Sequence, residues 1–180
     1  MSTHESDTQE HEPKNFLDHA MKWLGDVASL LFLLTVLISF YEVVMRYVFN
    51  MPTMWVHESA SFIGGLLFVL GGSYALATNR HVRVVLIYDI VSGKTRRILN
   101  VFHHLMGMLF SGLMVYASFH MVSAAWYSPW GGFKLESSGS AWDPAFPALT
   151  KLWILIIFSI MFLQFLLHLV QEIAAFRSTK

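Results

Sequence analysis

Residues Thr78–Arg97, TNRHVRVVLIYDIVSGKTRR, decide how this chain folds, because they gather five of its twelve Lys and Arg residues between two long apolar stretches. Before them, Ser59–Thr78 carries no charged side chain; after them, nothing from Ile98 to Phe133 is formally charged. Either flank is long enough to cross a bilayer. In membrane proteins Lys and Arg collect in short cytoplasmic loops, so Arg80, His81, Arg83, Arg96 and Arg97 mark this connection as a cytoplasmic hinge. Within it, Val84–Ile90 is too short to cross and reads as an interfacial segment between the second and third spans.

Working outward, the composition agrees. Of 180 residues, 55% are hydrophobic and 13% charged, against about 25% charged in an ordinary soluble domain. The formal net charge is zero, and the basic residues sit at span ends, which argues against a nucleic-acid partner and for a lipid bilayer. With no cysteine, disulfides, thiolate metal sites and cysteine nucleophiles are excluded. Residues 1–15 open with Glu5, Asp7, Glu10 and Glu12 and no apolar run, the pattern of a disordered acidic tail rather than of a secretory signal.

The sequence predicts an all-α integral membrane protein with a single domain over residues 16–177 and four transmembrane helices, at about 24–49, 55–78, 98–126 and 152–172. Residues Phe16–Val27 read as a surface-lying helical lead-in. The first span continues past Glu42 and Arg46 to Phe49, giving about 34 Å of helix from Val27, enough for a core of about 30 Å. Asn50, Met51 and Pro52 end it. The third span, about 43 Å if wholly helical, must tilt or project. An outer loop follows at 127–151, rich in Gly, Pro and Trp and long enough for a small folded cap. With the N-terminus inside, the cytoplasmic side holds Lys14, Lys22, Arg80, Arg83, Lys94, Arg96, Arg97, Arg177 and Lys180, against Arg46, Lys134 and Lys151 outside. Both termini are therefore expected in the cytoplasm. A chain this small makes one bundle or a flat array of helices.

Two features suggest contacts with other helices. Ser61, Gly65 and Gly72, with Gly64 and Gly71 beside them, run a small-residue seam down the second span, which permits close backbone approach either within this chain or to another protein. Gly107, Ser111 and Ser118 give the third span a second small face. Near the outer surface, Glu42 and Arg46 are four apart in the favourable order for an ion pair, and Glu58 opens the second span. Charges at such depth are costly unless paired or facing protein. Pairing within the chain and contact with a partner both fit.

Histidine offers the one cofactor reading. His103 and His168 fall on the cytoplasmic half and His57 and His120 near the outer surface, an arrangement that a four-helix membrane cytochrome of the b type with histidine-ligated haem would need. No nucleophile elbow, phosphate loop or paired-carboxylate site is present, so no enzyme is expected. Neither the broken half-helices of a stand-alone carrier nor the polar lining of a channel is evident.

Tyr41–Tyr88, YEVVMRYVFNMPTMWVHESASFIGGLLFVLGGSYALATNRHVRVVLIY, resembles the DctQ-like small permease (Q) subunit of tripartite ATP-independent periplasmic (TRAP) transporters. The resemblance rests on Arg46-Tyr47 with Asn50, Trp55 with Glu58, Gly72 among small neighbours, and His81-Val82-Arg83-Val84, in the family's order and spacing. One departure is Val85, where an aspartate usually stands. The resemblance implies a small scaffold subunit in a bacterial inner membrane. Its partners would be a large permease subunit, which carries the sodium coupling, and a periplasmic solute-binding protein, together taking up an organic acid. No cofactor is implied for this chain itself.

Overall fold

The computed structural model describes residues 15–78 and 93–178. The acidic tail and the hinge residues Arg80, His81 and Arg83, with the interfacial segment, lie outside the described residues. Four helices make up the described chain: α1 (Phe16–Tyr47), α2 (Met54–Ala77), α3 (Gly93–Trp126) and α4 (Phe146–Ser178). Each is long and apolar enough to cross a membrane, and no strand occurs among the described residues. In lipid this follows from the backbone, whose polar groups a helix satisfies within a single segment.

The helices form an open row. α1 packs on α2, α2 on α4 and α4 on α3, so the spatial order is α1–α2–α4–α3. α1 meets α4 over a short stretch, where its first turn reaches Gln164 and His168. The start of α1 and the end of α4 thus share one side of the row. α1 runs without a break from Phe16, and Asp18 in its first turn is buried and tied to α4.

Between α1 and α2 the chain turns at Asn50, whose φ of 53° lies in the left-handed region that Asn tolerates better than most residues. The N–H of Met51 returns to the carbonyl of Met45 at 2.9 Å. The outer loop folds back as a cap: Lys134 and Glu136 donate backbone N–H groups to Trp126 and Ala125 at the end of α3, at 3.1 and 2.8 Å. Phe146, at the start of α4, stacks on Phe62 of α2 with centroids 4.3 Å apart. The indole N–H of Trp153 reaches the carbonyl of Leu66 at 3.1 Å, fixing α4 against α2 near mid-length.

The core is a chain of apolar contacts through the row, with Met21 and Ala28 of α1, Leu70 and Leu76 of α2, and Ile157, Met161 and Phe165 of α4. Outward faces are apolar as well. On α1, Leu30, Leu33, Leu37 and Phe40 repeat at helical spacing and are each more than half exposed, as a lipid- or protein-facing stripe must be.

Candidate functional site

Polar side chains form two clusters. In the first, around the start of α1, Gln164 and His168 stand four apart on one face of α4 and both point at Asp18. The Gln164 amide donates to Asp18 Oδ1 at 3.0 Å, and His168 Nε2 lies 2.8 Å from Asp18 Oδ2. Ser73 of α2 donates its hydroxyl to Gln164 Oε1 at 2.7 Å. Asp18, Gln164 and Ser73 are all 1% exposed or less. One buried network therefore joins α1, α2 and α4. Burying a carboxylate this completely is tolerable because two donors meet it, one of them an imidazole able to carry charge.

At the far end Glu42 holds the α1–α2 turn. Arg46 donates to Oε1 from Nε and Nη2 at 3.2 and 2.7 Å, while Thr53 gives its backbone N–H to Oε2 at 3.0 Å and its hydroxyl to the same oxygen. Thr53 is the N-cap residue of α2, so one carboxylate pairs with the end of its own helix and anchors the start of the next. Half of the Arg46 side chain remains exposed.

Glu58 accepts from the Ser138 hydroxyl at 3.1 Å and so links α2 to the cap. A shallow hollow there is lined by His57, Glu58, Ser61, Ser138 and Lys151, with Lys151 paired to Glu136. Within the cap, Asp143 has its carboxyl held below the usual carboxylate value by the Ser137 side chain, the Gly139 N–H and, more weakly, Lys134.

The seam on α2 divides by direction. A side chain added at Gly72 would meet Met161 at 3.7 Å, and one at Gly65 would meet Thr150 at 4.0 Å, so these two glycines face α4. Nothing lies within 4 Å of a side chain added at Gly64 or Gly71, and Ser61 is exposed. The tightest glycines are elsewhere. A Cβ on Gly107 would lie 2.3 Å from the Phe165 ring, and one on Gly25 would lie 2.2 Å from that of Tyr74. Ser111 and Ser118 are buried and continue the Gly107 face of α3. Arg96 and Arg97 fall in the opening turns of α3.

His103, His104 and His168 do come together, with ring centroids 5.5 Å apart for the first two and 5.6 Å for His104 and His168. His168, however, presents Nε2 to Asp18, and that engagement removes the nitrogen an axial haem ligand would use. Towards the other end of α3, His120 packs on Tyr116 of its own helix. The cytochrome reading gains no support.

Missing from the sequence reading were Asp18 as a buried group, its partners Gln164 and Ser73, and Gly25. One signal was available: Gln164 and His168 are polar residues four apart inside an otherwise apolar span, the kind of pair that must find a partner in lipid.

Four helices in an open row, each long and apolar enough to cross a membrane, define a multi-pass membrane protein. The family model for the DctQ component of tripartite ATP-independent periplasmic transporters matches residues 35–177. The chain belongs to that family, a family of transporter components and not of enzymes. No curated protein matches it.

Proposed function

We propose that this chain is the scaffold subunit of a TRAP-type secondary transporter in a bacterial inner membrane, bracing a large permease subunit that carries the solute. On this reading sodium binds at the large subunit, a periplasmic solute-binding protein delivers an organic acid, and both termini of this chain are cytoplasmic. The orientation rests on the excess of Lys and Arg at the terminal side. Arg80, His81, Arg83, Arg96 and Arg97 then anchor the hinge at the anionic inner surface.

The observation that carries the scaffold role is where the polar groups go. Those of the two clusters are engaged by neighbours in the same chain, Gln164 included although it lies near the middle of α4, whereas a substrate path needs polar groups free at mid-depth. Gly65 and Gly72 are occupied by α4, which leaves Ser61, Gly64 and Gly71 as the part of the seam open to the large subunit. Glu58 and the folded cap offer the binding protein part of its dock. Glu42 and Arg46 hold the turn beneath that surface.

Tagging this chain in its native membrane, extracting it in mild detergent and identifying what accompanies it by mass spectrometry tests the reading. A large, many-span permease in near one-to-one amount is expected, with Gly64→Leu lowering its recovery several-fold. Recovery of no membrane partner by the wild-type chain would overturn the proposal; undiminished recovery with Gly64→Leu would remove Gly64 from the interface.

A further inference from the structure

The cap begins with Tyr127–Phe133, YSPWGGF, a stretch that carries no charge and exposes three large aromatic side chains. Its backbone closes into a hairpin. Ser128 donates its N–H to the Gly132 carbonyl at 2.8 Å, and Gly131 donates to the Ser128 carbonyl at 2.9 Å, with Gly131 at a φ of 86° that glycine adopts without strain. Phe133 sits edge-on to Trp126 and Tyr127, with centroids 6.0 and 6.2 Å away, and the Trp126 indole donates to the Ala148 carbonyl of α4 at 3.2 Å. The base of the hairpin is thereby fastened to both α3 and α4. At its tip Trp130 is 93% exposed. A rigid mount holding a bare indole loses little entropy when that indole is engaged.

Height and charge together select what engages it. The uncharged helical run Ile98–Trp126 is about 43 Å long, which matches a bilayer with its headgroup regions, about 40–45 Å. With Lys94, Arg96 and Arg97 at one membrane surface, Trp126 and the hairpin come out at the headgroup level of the other. α3 is an edge helix of the row, and its exposed side chains Leu109, Leu113 and Tyr116 lead along it toward the hairpin. Other exposed aromatic residues stand at the same end. Trp142 of the cap and Trp55 at the start of α2 line one hollow, and Tyr47 closes α1 just before the turn into α2. Such rings collect in the headgroup layer, where an apolar body and a polar edge are both satisfied. A tip docking a water-soluble protein would carry a polar rim around its aromatic centre, whereas Trp130 is flanked by Pro129, Gly131 and Gly132. Charge starts only beyond the hairpin, with Lys134, Glu136 and Asp143. We propose that Tyr127–Phe133 is a membrane-interface anchor, with Trp130 seated among lipid headgroups and the polar half of the cap, Glu136–Asp143, held in water. This holds whichever side of the membrane the cap occupies and whatever protein accompanies the chain.

Because the chain has no cysteine, a nitroxide can be attached at single sites. Gly132→Cys puts it beside Trp130, where an added side chain meets nothing within 4 Å. Ser137→Cys puts it in the polar half of the cap, and Leu109→Cys, on the exposed side of α3, gives the lipid reference. The full chain, with any partner that copurifies, is placed in nanodiscs of phosphatidylethanolamine and phosphatidylglycerol. Power-saturation EPR then reads collisions with oxygen, which concentrates in lipid, and with a nickel chelate, which stays in water. The oxygen-to-nickel ratio at position 132 should be several-fold above that at 137 and below that at 109. Trp130→Ser in the Gly132→Cys chain should lower the ratio several-fold, toward the value at 137. Circular dichroism and a monodisperse elution profile keep a folding failure separate from a lost anchor. Equal ratios at 132 and 137 would overturn the proposal, as would a ratio at 132 that does not respond to Trp130→Ser. Few collisions with either reagent at 132 would mean that a protein covers the tip, and would overturn it too.

Discussion

Asp18 shows how much one side chain can determine in a protein whose helices gain little from hydrophobic burial against lipid. Its carboxylate is met by Gln164 and His168, and α1 touches α4 along little else. Removing one member of a buried charge-bearing set leaves the others unmatched, at a cost of about 3–5 kcal/mol. A neutral hydrogen bond between membrane helices contributes about 0.6 kcal/mol. Asp18→Ala is therefore expected to lower thermal stability in detergent far more than Ser73→Ala, and to expose the start of α1 to limited proteolysis. Equal, small losses in both variants would mean that the network does not hold α1. Nothing local announces this. Gln164 and Asp18 are 146 positions apart, and the charged neighbours Lys14, Lys22 and Asp26 make Asp18 look like one more surface residue in an amphipathic stretch. Glu42 and Arg46 are the opposite case, legible because their pairing is set by the pitch of the helix that carries both. Even there the pattern omits Thr53, since a bond across a turn depends on how that turn closes.

For the helices as elements, existence and approximate extent follow from uninterrupted apolar runs, which is why four spans can be read from the chain. Their neighbours cannot, because small residues mark a face suited to close approach without naming what approaches it. On α2 the seam divides between α4 and open space. On α3, Ser111 and Ser118 are buried and Gly107 is partly so. Gly107 is the sharper test of element packing, since a methyl group there would enter the Phe165 ring, and Phe165 is itself buried. Overpacking of this kind costs about 1–3 kcal/mol. Gly107→Ala should lower the unfolding temperature and Phe165→Leu in the same chain should recover part of the loss, as differential scanning fluorimetry would report. A double variant no better than Gly107→Ala alone would mean that the ring is not what resists the methyl group.

At the scale of the whole molecule, the choice between a closed bundle and a flat array is settled in favour of an open row with α1 and α3 at its edges. The absence of native cysteine makes the order directly testable with introduced pairs. Gly72→Cys with Met161→Cys, on the adjacent α2 and α4, should form a disulfide readily under mild oxidation. Leu33→Cys with Leu109→Cys, on the two edges, should not. Efficient coupling of the edge pair within one chain would indicate that the row closes on itself. A row with apolar outward faces also suits the part assigned to it, since it can lie against a larger membrane protein on one face and meet lipid on the other.

Two of the three carboxylates of α1, Asp18 and Glu42, have a mechanical consequence. Asp18 and Glu42 lie 24 residues apart, about 36 Å along the axis, and each is fastened to a different neighbour, one to α4 and the other to the head of α2. To slip by one turn, about 5.4 Å, or to roll about its axis, α1 would have to release both fastenings at once, since neither can follow the other by bending a loop. A helix held at a single end can swing, and one held only by apolar contacts can ratchet. Fastened at both ends, α1 is a strut, able to transmit a load from one membrane surface to the other without changing register.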